Sequence, residues 1–474
     1  MAIAQSLLSI PSHLTLQNLS SLCLLALTTT ILTSAIQAAL SPLRSIPGPF
    51  LARFTRLWLL WHFWRGDFHK TNIQLHNIYG TLSSPAALKT IYAHGSPFTK
   101  SAFYDASRNP DAPRADLFSD RDPAAHASFR RRVAQLYSLS TVVRMEDEVR
   151  GCVRELLARL GGFPESGERV DLQHWLQCYA FDVVGAVTVS RRFGVLDREE
   201  DCLGLLEALH RSLVYLTHVG VVPEVHRWLY AVVKRVGRNG MSGLFAFAAG
   251  AVGERLKAPE EEKGEVDEEG EDFLAKMVRM HRREPEKFGF LDMMMLRAEL
   301  ETAAVERLIP SAEPVSYQQA QKLAYLQAVI SEGLRVHSPP GVPLSREVPK
   351  GGAQVDGIYF PEESVLGMNA WVMHLDKDVF GEDAEEYKPE RWLVSKEDIG
   401  RMNRNTLTWG LGSRNCIGKN IALMEISILI PELVRKFDFQ LVDPDSKLET
   451  HNIFFVKQKN FWVKVKERTT QGQC

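Results

Sequence analysis

One stretch of the chain holds residue types whose spacing suits chemistry. It reads Trp409-Gly-Leu-Gly412-Ser-Arg414-Asn-Cys416-Ile-Gly418 and lies directly ahead of a long helical pattern. A cysteine at a helix N-terminus meets the positive end of the aligned peptide dipoles, which favours the thiolate over the thiol. A rigidly held thiolate is a strong axial donor to iron and promotes O–O cleavage there. Gly412 permits a tight bend, and Gly418 lets the following helix lie close to a flat ligand. Trp409 supplies an aromatic wall beside the sulfur, and Arg414 is placed to neutralise a carboxylate. A lone buried cysteine is ordinarily inert packing. The matched neighbours around Cys416 reverse that expectation.

Four more charged segments surround this loop in sequence. Glu332-Gly-Leu-Arg335 puts an acid and a base on one helix face, three residues apart. Lys388-Pro-Glu-Arg391-Trp392 adds a further base. His126-Ala-Ser-Phe-Arg130 places two side chains one turn apart, and Arg346 stands in Pro343-Leu-Ser-Arg-Glu. Taken together and in this order, the segments resemble the signatures of the cytochrome P450 family. The Cys416 stretch resembles its haem-binding motif, F-x-x-G-x-R-x-C-x-G, with Trp409 in place of the usual Phe. The departure adds an indole N–H able to tune the iron's potential. The resemblance implies that Cys416 is the axial ligand of a haem iron. It implies that Arg414, His126, Arg130 and Arg346 reach the haem propionates. Glu332, Arg335 and Arg391 would form a buried structural triad behind the haem. The likeness runs from about residue 45 to the C-terminus and is closest in flavour to fungal microsomal members, including the group that contains pisatin demethylase.

The elements that must position these residues are mostly helical. Helical periodicity dominates from about 126 to 255 and again over 316–335, where Ser316 and Gln319 match a capping box and Pro339-Pro340 enforces a stop. Residues 51–79 read as an amphipathic helix. Short strand-like pieces follow at Val342–Val348, Ala353–Phe360 and Ser364–Asn369, then a last helix over about Ile417–Lys436 and a strand-like tail, Asn452–Val465. Pro259–Asp272 is acidic and reads as a solvated loop. The expected fold class is mainly α with small β-sheets, which the resemblance identifies as an incomplete cytochrome P450 fold. The 474 residues are 45% hydrophobic and 24% charged with a net charge of −2, so a large core is possible and no nucleic-acid partner is indicated. Six scattered cysteines exclude a disulfide scaffold and point to a reducing compartment.

No charge precedes Arg44, and Leu19–Leu40 is long enough to span a bilayer core. Arg44, Arg53, Arg56, Arg65 and Lys70 follow it, an asymmetry that leaves the next domain on the cytosolic side. The expected organisation is therefore a membrane anchor over residues 1–43, inserted in the endoplasmic reticulum, and a haem-thiolate domain over 44–474. Leu203, Leu205, Leu206, Leu209 and Leu213, within Cys202–Tyr230, resemble the helices that roof the family's pocket.

The pattern breaks in two places. The family's distal helix carries [A/G]-G-x-[D/E]-T, whose acid–alcohol pair helps deliver protons to bound dioxygen. Phe290–Leu296 resembles the start of that helix, whereas Arg297–Ala303 already resembles a later one. Ala298, Glu301 and Thr302 imitate the motif, but Thr302 lies only 30 positions before Glu332, too close for the family layout. Glu301 and Thr302 are the only candidates for a catalytic pair. The seam predicts a composite helix over 291–308 too short to cross a haem, and an open pocket above Cys416. A smaller gap follows Tyr79-Gly80, where the family's strand with R-x-x-P is missing. Two such gaps fit a mis-spliced or decayed gene. The resemblance implies a monooxygenase that hydroxylates or O-demethylates an apolar small molecule in fungal secondary metabolism, with electrons from NADPH through a flavoprotein reductase. The alternatives are a haem-thiolate isomerase or dehydratase acting on a hydroperoxide, and an inactive haem-binding relic.

Overall fold

The computed structural model describes residues 16–80, 84–198, 201, 204–236, 276, 315–445 and 449–468. The chain separates into two compact units, divided between Trp61 and His62. The first holds a 25-residue helix, Leu16–Leu40. Its stretch Ser20–Leu40 is long and apolar enough to cross a membrane, and none of it is buried. Its threonines are accommodated because Thr28, Thr29, Thr30 and Thr33 donate to carbonyls one turn back, which hides their hydroxyls from an apolar surrounding.

The second unit is helical with small antiparallel sheets. Its main core forms where Glu146–Leu160, Leu172–Val189 and Lys419–Lys436 pack together through Leu156, Leu160, Leu176, Met424, Ile428 and Leu429. Each such side chain, fully buried, contributes roughly 1.5–3 kcal/mol. Trp462–Glu467 pairs with Phe437–Leu441 and with Val170–Asp171, so the last strand closes the core beside the last helix. Thr99–Lys100, Arg346–Glu347 and Val365–Leu366 form a second small sheet.

Several elements depart from the sequence pattern, each for a local reason. The 51–79 stretch is broken: helices Leu57–Arg65 and Phe68–Tyr79 meet at Gly66, whose φ of +70° and close approach to the His451 ring admit no side chain. The 316–335 helix is two helices, Tyr317–Gln321 and Ala324–Val336, the first opened by the expected Ser316–Gln319 capping box. Ala353–Phe360 is a hairpin rather than one strand, turning at Asp356-Gly357, where both residues have positive φ as a type I′ turn requires. The C-terminal tail is likewise a hairpin, Glu449–Ile453 with Phe455–Lys459, followed by the final strand. After Tyr79 the next described element is the helix Pro85–Tyr92, capped by Ser84, so no strand is described between them. Leu205, Leu209 and Leu213 are buried on the helix Leu205–Val219, and Leu206 packs against the main core. Cys202, Leu203, the 259–272 loop and the whole 290–308 seam, with Ala298, Glu301 and Thr302, lie outside the described residues.

Candidate functional site

The loop that carries Cys416 is built by backbone constraints that only its sequence meets. Gly410 and Gly412 take φ of +65° and +62°. At Gly412 an added Cβ would lie 2.0 Å from the Tyr92 carbonyl oxygen, so the position admits glycine alone. The bend returns the chain on itself, and the Cys416 N–H donates to the Trp409 carbonyl at 2.6 Å. Gly418 caps the helix Lys419–Lys436, which sets Cys416 three residues before an 18-residue helix. The sulfur is partly exposed and in no disulfide.

Cys416 faces a cavity of about 130 Å³ whose wall also includes Trp409, Gly418, Arg414, Arg130, Arg346, His126 and Lys100. The structure thus gathers every sequence-predicted haem contact except Gly412 on one wall, with Gly412 shaping the loop behind it. Their roles differ. Arg130 clamps the cysteine loop, its guanidinium donating to the Asn415 carbonyl at 2.9 Å and the Asn415 side chain at 2.7 Å. Arg346 lies over the Tyr92 ring, 5.0 Å from its centroid. The Tyr92 hydroxyl in turn donates to Leu344 and accepts from the Met368 N–H. Arg414 donates through Nη1 to the Asp120 carbonyl at 2.6 Å, while its buried Nη2 has no partner among the described residues. Burial, then the charges of Arg346 and Arg130, push the Arg414 guanidinium down to about 10. Burial, then Arg414, Lys100 and Arg130, push His126 down to about 3, so it stands neutral among cations.

The aromatic side of the cavity is headed by Phe454 at the tip of the 449–459 hairpin, with φ of +86°. Its backbone is held by the Asn452 side chain at 3.1 Å and by the Gly341 N–H at 2.9 Å. Its ring stacks on Phe103 and meets Phe118 edge-on, with centroids 6.2 and 5.5 Å apart. Lys100 lies over the Phe118 and Tyr104 rings and donates to the Phe118 carbonyl. Lys100, Tyr92 and Asn415 escape a sequence reading. Only Asn415, inside the cysteine motif, sits where a signal could be sought.

Behind this wall Glu332, Arg335 and Arg391 meet. Arg335 donates to the two Glu332 oxygens at 2.8 and 2.7 Å, and Arg391 approaches at 3.4 Å. The Lys388 N–H and the Trp392 indole donate to the same carboxylate, each at 2.9 Å. Burial alone would raise the Glu332 pKa, but the Arg335, Lys388 and Trp392 hydrogen bonds hold it below the usual carboxylate value.

A haem is a flat apolar disc with two carboxylates and an iron needing an axial donor, and the wall offers partners for each. The Arg414 Nη2, unsatisfied among the described residues, and the charge around it suit an anion, and Cys416 offers a soft donor. The space between them is below the 300 Å³ or so of a usual cofactor pocket.

The family model described as Cytochrome P450 matches residues 75–306 and 293–465. This chain belongs to the cytochrome P450 family. Pisatin demethylase of Fusarium vanettenii is 32% identical, covering 88% of this chain and 87% of its own length. Cytochrome P450 monooxygenase pkfB of Emericella nidulans is also 32% identical, covering 89% and 91%. A crystal structure of a cytochrome P450, CYP102L1, superposes with a TM-score of 0.68 at 16% identity, over 86% of this chain and 96% of that one. Within the family, the chain is a monooxygenase of the fungal type, and membership implies a haem held by a cysteine thiolate.

Proposed function

We propose that this chain hydroxylates or O-demethylates an apolar small molecule in fungal secondary metabolism, with Cys416 as the thiolate ligand of its haem. A bound haem supplies the oxygen chemistry. The chain's own residues would hold and orient it: Cys416 would ligate the iron, and Arg414, Arg346, Arg130 and His126 would face the propionates, with Trp409, Gly412 and Gly418 shaping the loop. Glu332, Arg335 and Arg391 brace the wall from behind. The observation that carries this reading is the gathering of Cys416 and three arginines on one cavity wall, the Arg414 Nη2 having no partner among the described residues. Electrons come from NADPH through a flavoprotein reductase. Residues 1–43 anchor the chain in the endoplasmic reticulum membrane with the 44–474 domain in the cytosol, a reading supported by the apolar helix Leu16–Leu40 and the arginines after it. The test is the ferrous–carbon monoxide spectrum. The haem-loaded chain gives the red-shifted band of thiolate ligation, and Cys416→Ala abolishes it; a band retained in that variant would sink the assignment. Alkaline carbonate washing of membranes tests the anchor, and recovery of full-length chain in the soluble fraction would refute it.

A second reading, favoured by a specific observation, is that the chain as written has lost its distal segment and turns over poorly. The alignment with the pkfB monooxygenase runs to 474 positions while taking in only 89% of this 474-residue chain, so a few dozen positions of the relative lack a counterpart here. Both pieces of the family match claim residues 293–306, as a join between two separated parts of the pattern would produce. Translation of genomic DNA across codon 296 tests this. A continuous frame there, with no further distal-helix sequence, would leave the short chain as the true product. Inserting the segment of a relative is expected to raise haem uptake and reductase-supported turnover.

A further inference from the structure

His374 is absent from every motif above, yet it sits where the triad and the cysteine loop meet. It follows the short helix Ala370–Met373 and is 1% exposed. Its Nε2 accepts from the Leu407 N–H at 2.9 Å. A backbone N–H can only donate, so Nε2 is unprotonated and the ring proton must be on Nδ1. That nitrogen lies 2.9 Å from the Arg335 carbonyl, to which it therefore donates. Arg335 answers in the other direction, its Nη1 donating to the His374 carbonyl at 2.7 Å. Arg335 and His374 are thus clamped to each other by two hydrogen bonds of opposite sense, and the imidazole extends the clamp to the loop at Leu407. Two residues further on, Trp409 receives the Cys416 N–H. A second latch runs parallel, from the Thr408 hydroxyl to the Leu334 carbonyl at 2.9 Å.

We infer that His374 is a positioning residue for Cys416, transmitting the placement of the Glu332–Arg335–Arg391 triad to the cysteine loop through the Leu407 N–H. A buried backbone donor must be satisfied, and the imidazole that accepts from the Leu407 N–H is itself buried, 1% exposed, with the Phe380 ring edge-on to it. Removing the acceptor frees the start of the loop while leaving the glycine-built bend intact. The effect falls on how well Cys416 is held rather than on whether the domain folds. Burial pushes the His374 imidazole down to about 4, against the opposing hydrogen bond to Arg335, so the neutral tautomer the geometry requires is the one present at neutral pH.

The test uses the full chain with two variants, His374→Phe, which fills the space without polar atoms, and His374→Gln, which keeps an acceptor at the Nε2 position. Amide exchange of peptides spanning 405–418 and iodoacetamide alkylation of Cys416, mapped by mass spectrometry, are read without added haem. In His374→Phe both rates are expected to rise about tenfold, the change in local opening that follows loss of one hydrogen bond, while exchange of 146–160 stays at the wild-type rate. His374→Gln is expected to restore most of the protection. Equal protection of 405–418 in all three chains would overturn the inference. So would acceleration of 146–160 to the same degree as the loop, or a Gln variant as unprotected as the Phe variant. If His374→Phe does not fold, His374→Gln against wild type decides alone: near-wild-type protection of 405–418 is required, and its loss refutes the role. The inference rests on the proposed site only for the importance of Cys416. Because these readouts need no haem, their failure is distinguishable from failure of the ligand assignment, which the carbon monoxide spectrum reads.

Discussion

Two clusters of charge lie close to Cys416, and they are built on opposite principles. Behind the wall, Glu332 meets Arg335 and Arg391, and every oxygen and most guanidinium nitrogens are spoken for by side chains or carbonyls. In front of it, Arg414, Arg130, Arg346 and Lys100 gather with no acid among the described cavity-lining residues, and the buried Arg414 Nη2 has no partner among the described residues. The first cluster is complete in itself and holds shape. The second gathers like charges along one cavity wall, a surface suited to an anionic ligand. Buried charge marks function when it lacks its partner and structure when it has one.

That contrast predicts effects of graded size. Glu332→Ala leaves two guanidinium groups buried without their acid and is expected to lower stability by about 3–5 kcal/mol, read as the urea midpoint at constant m. A loss under about 1 kcal/mol would show that the triad is no more than a surface-like pair. Acid comes next. His126 and His374 are held far below their ordinary value of 6.5, to about 3 and about 4. Between those limits the unfolded chain binds protons that the folded chain refuses, so stability is full above pH 6.5 and falls as pH drops toward 4. Unfolding curves across that range check it, and a flat profile would mean that these imidazoles are not sequestered. Arg414→Met removes a charge that its neighbours already oppose. Haem affinity is expected to fall roughly 10- to 100-fold in a titration, with the haem-free chain no less stable; a destabilised haem-free chain would move Arg414 into the structural class. Ser316→Ala, far from either cluster, sets the scale of an ordinary polar contact: loss of the capping box is expected to cost about 1 kcal/mol, read by thermal unfolding.

The completeness of the two clusters also governs how legible they were. The cysteine loop, the arginines and the triad show in the sequence because each sits in a short run whose residue types are dictated by local geometry, as Gly412 is by the Tyr92 carbonyl. Helix periods and the Ser316 cap show for the same reason. Lys100, Tyr92 and His374 do not show: Tyr92 and His374 act across more than thirty residues of chain and Lys100 across 18, and their immediate neighbours say nothing of their partners. The hairpins at 353–360 and 449–459 read as single strands because alternation looks alike on both sides of a tight turn; only Asp356-Gly357 signals one of them.

Phe454 shows what such a site demands of an evolving sequence. A bulky residue with φ of +86° strains its backbone by of order 1–3 kcal/mol, and glycine would relieve it. Yet glycine would strip the aromatic face from the cavity and leave Phe103 and Phe118 without the ring they pack on. Phe454 thus keeps its strained backbone together with the contacts that its ring makes with Phe103 and Phe118 at the cavity.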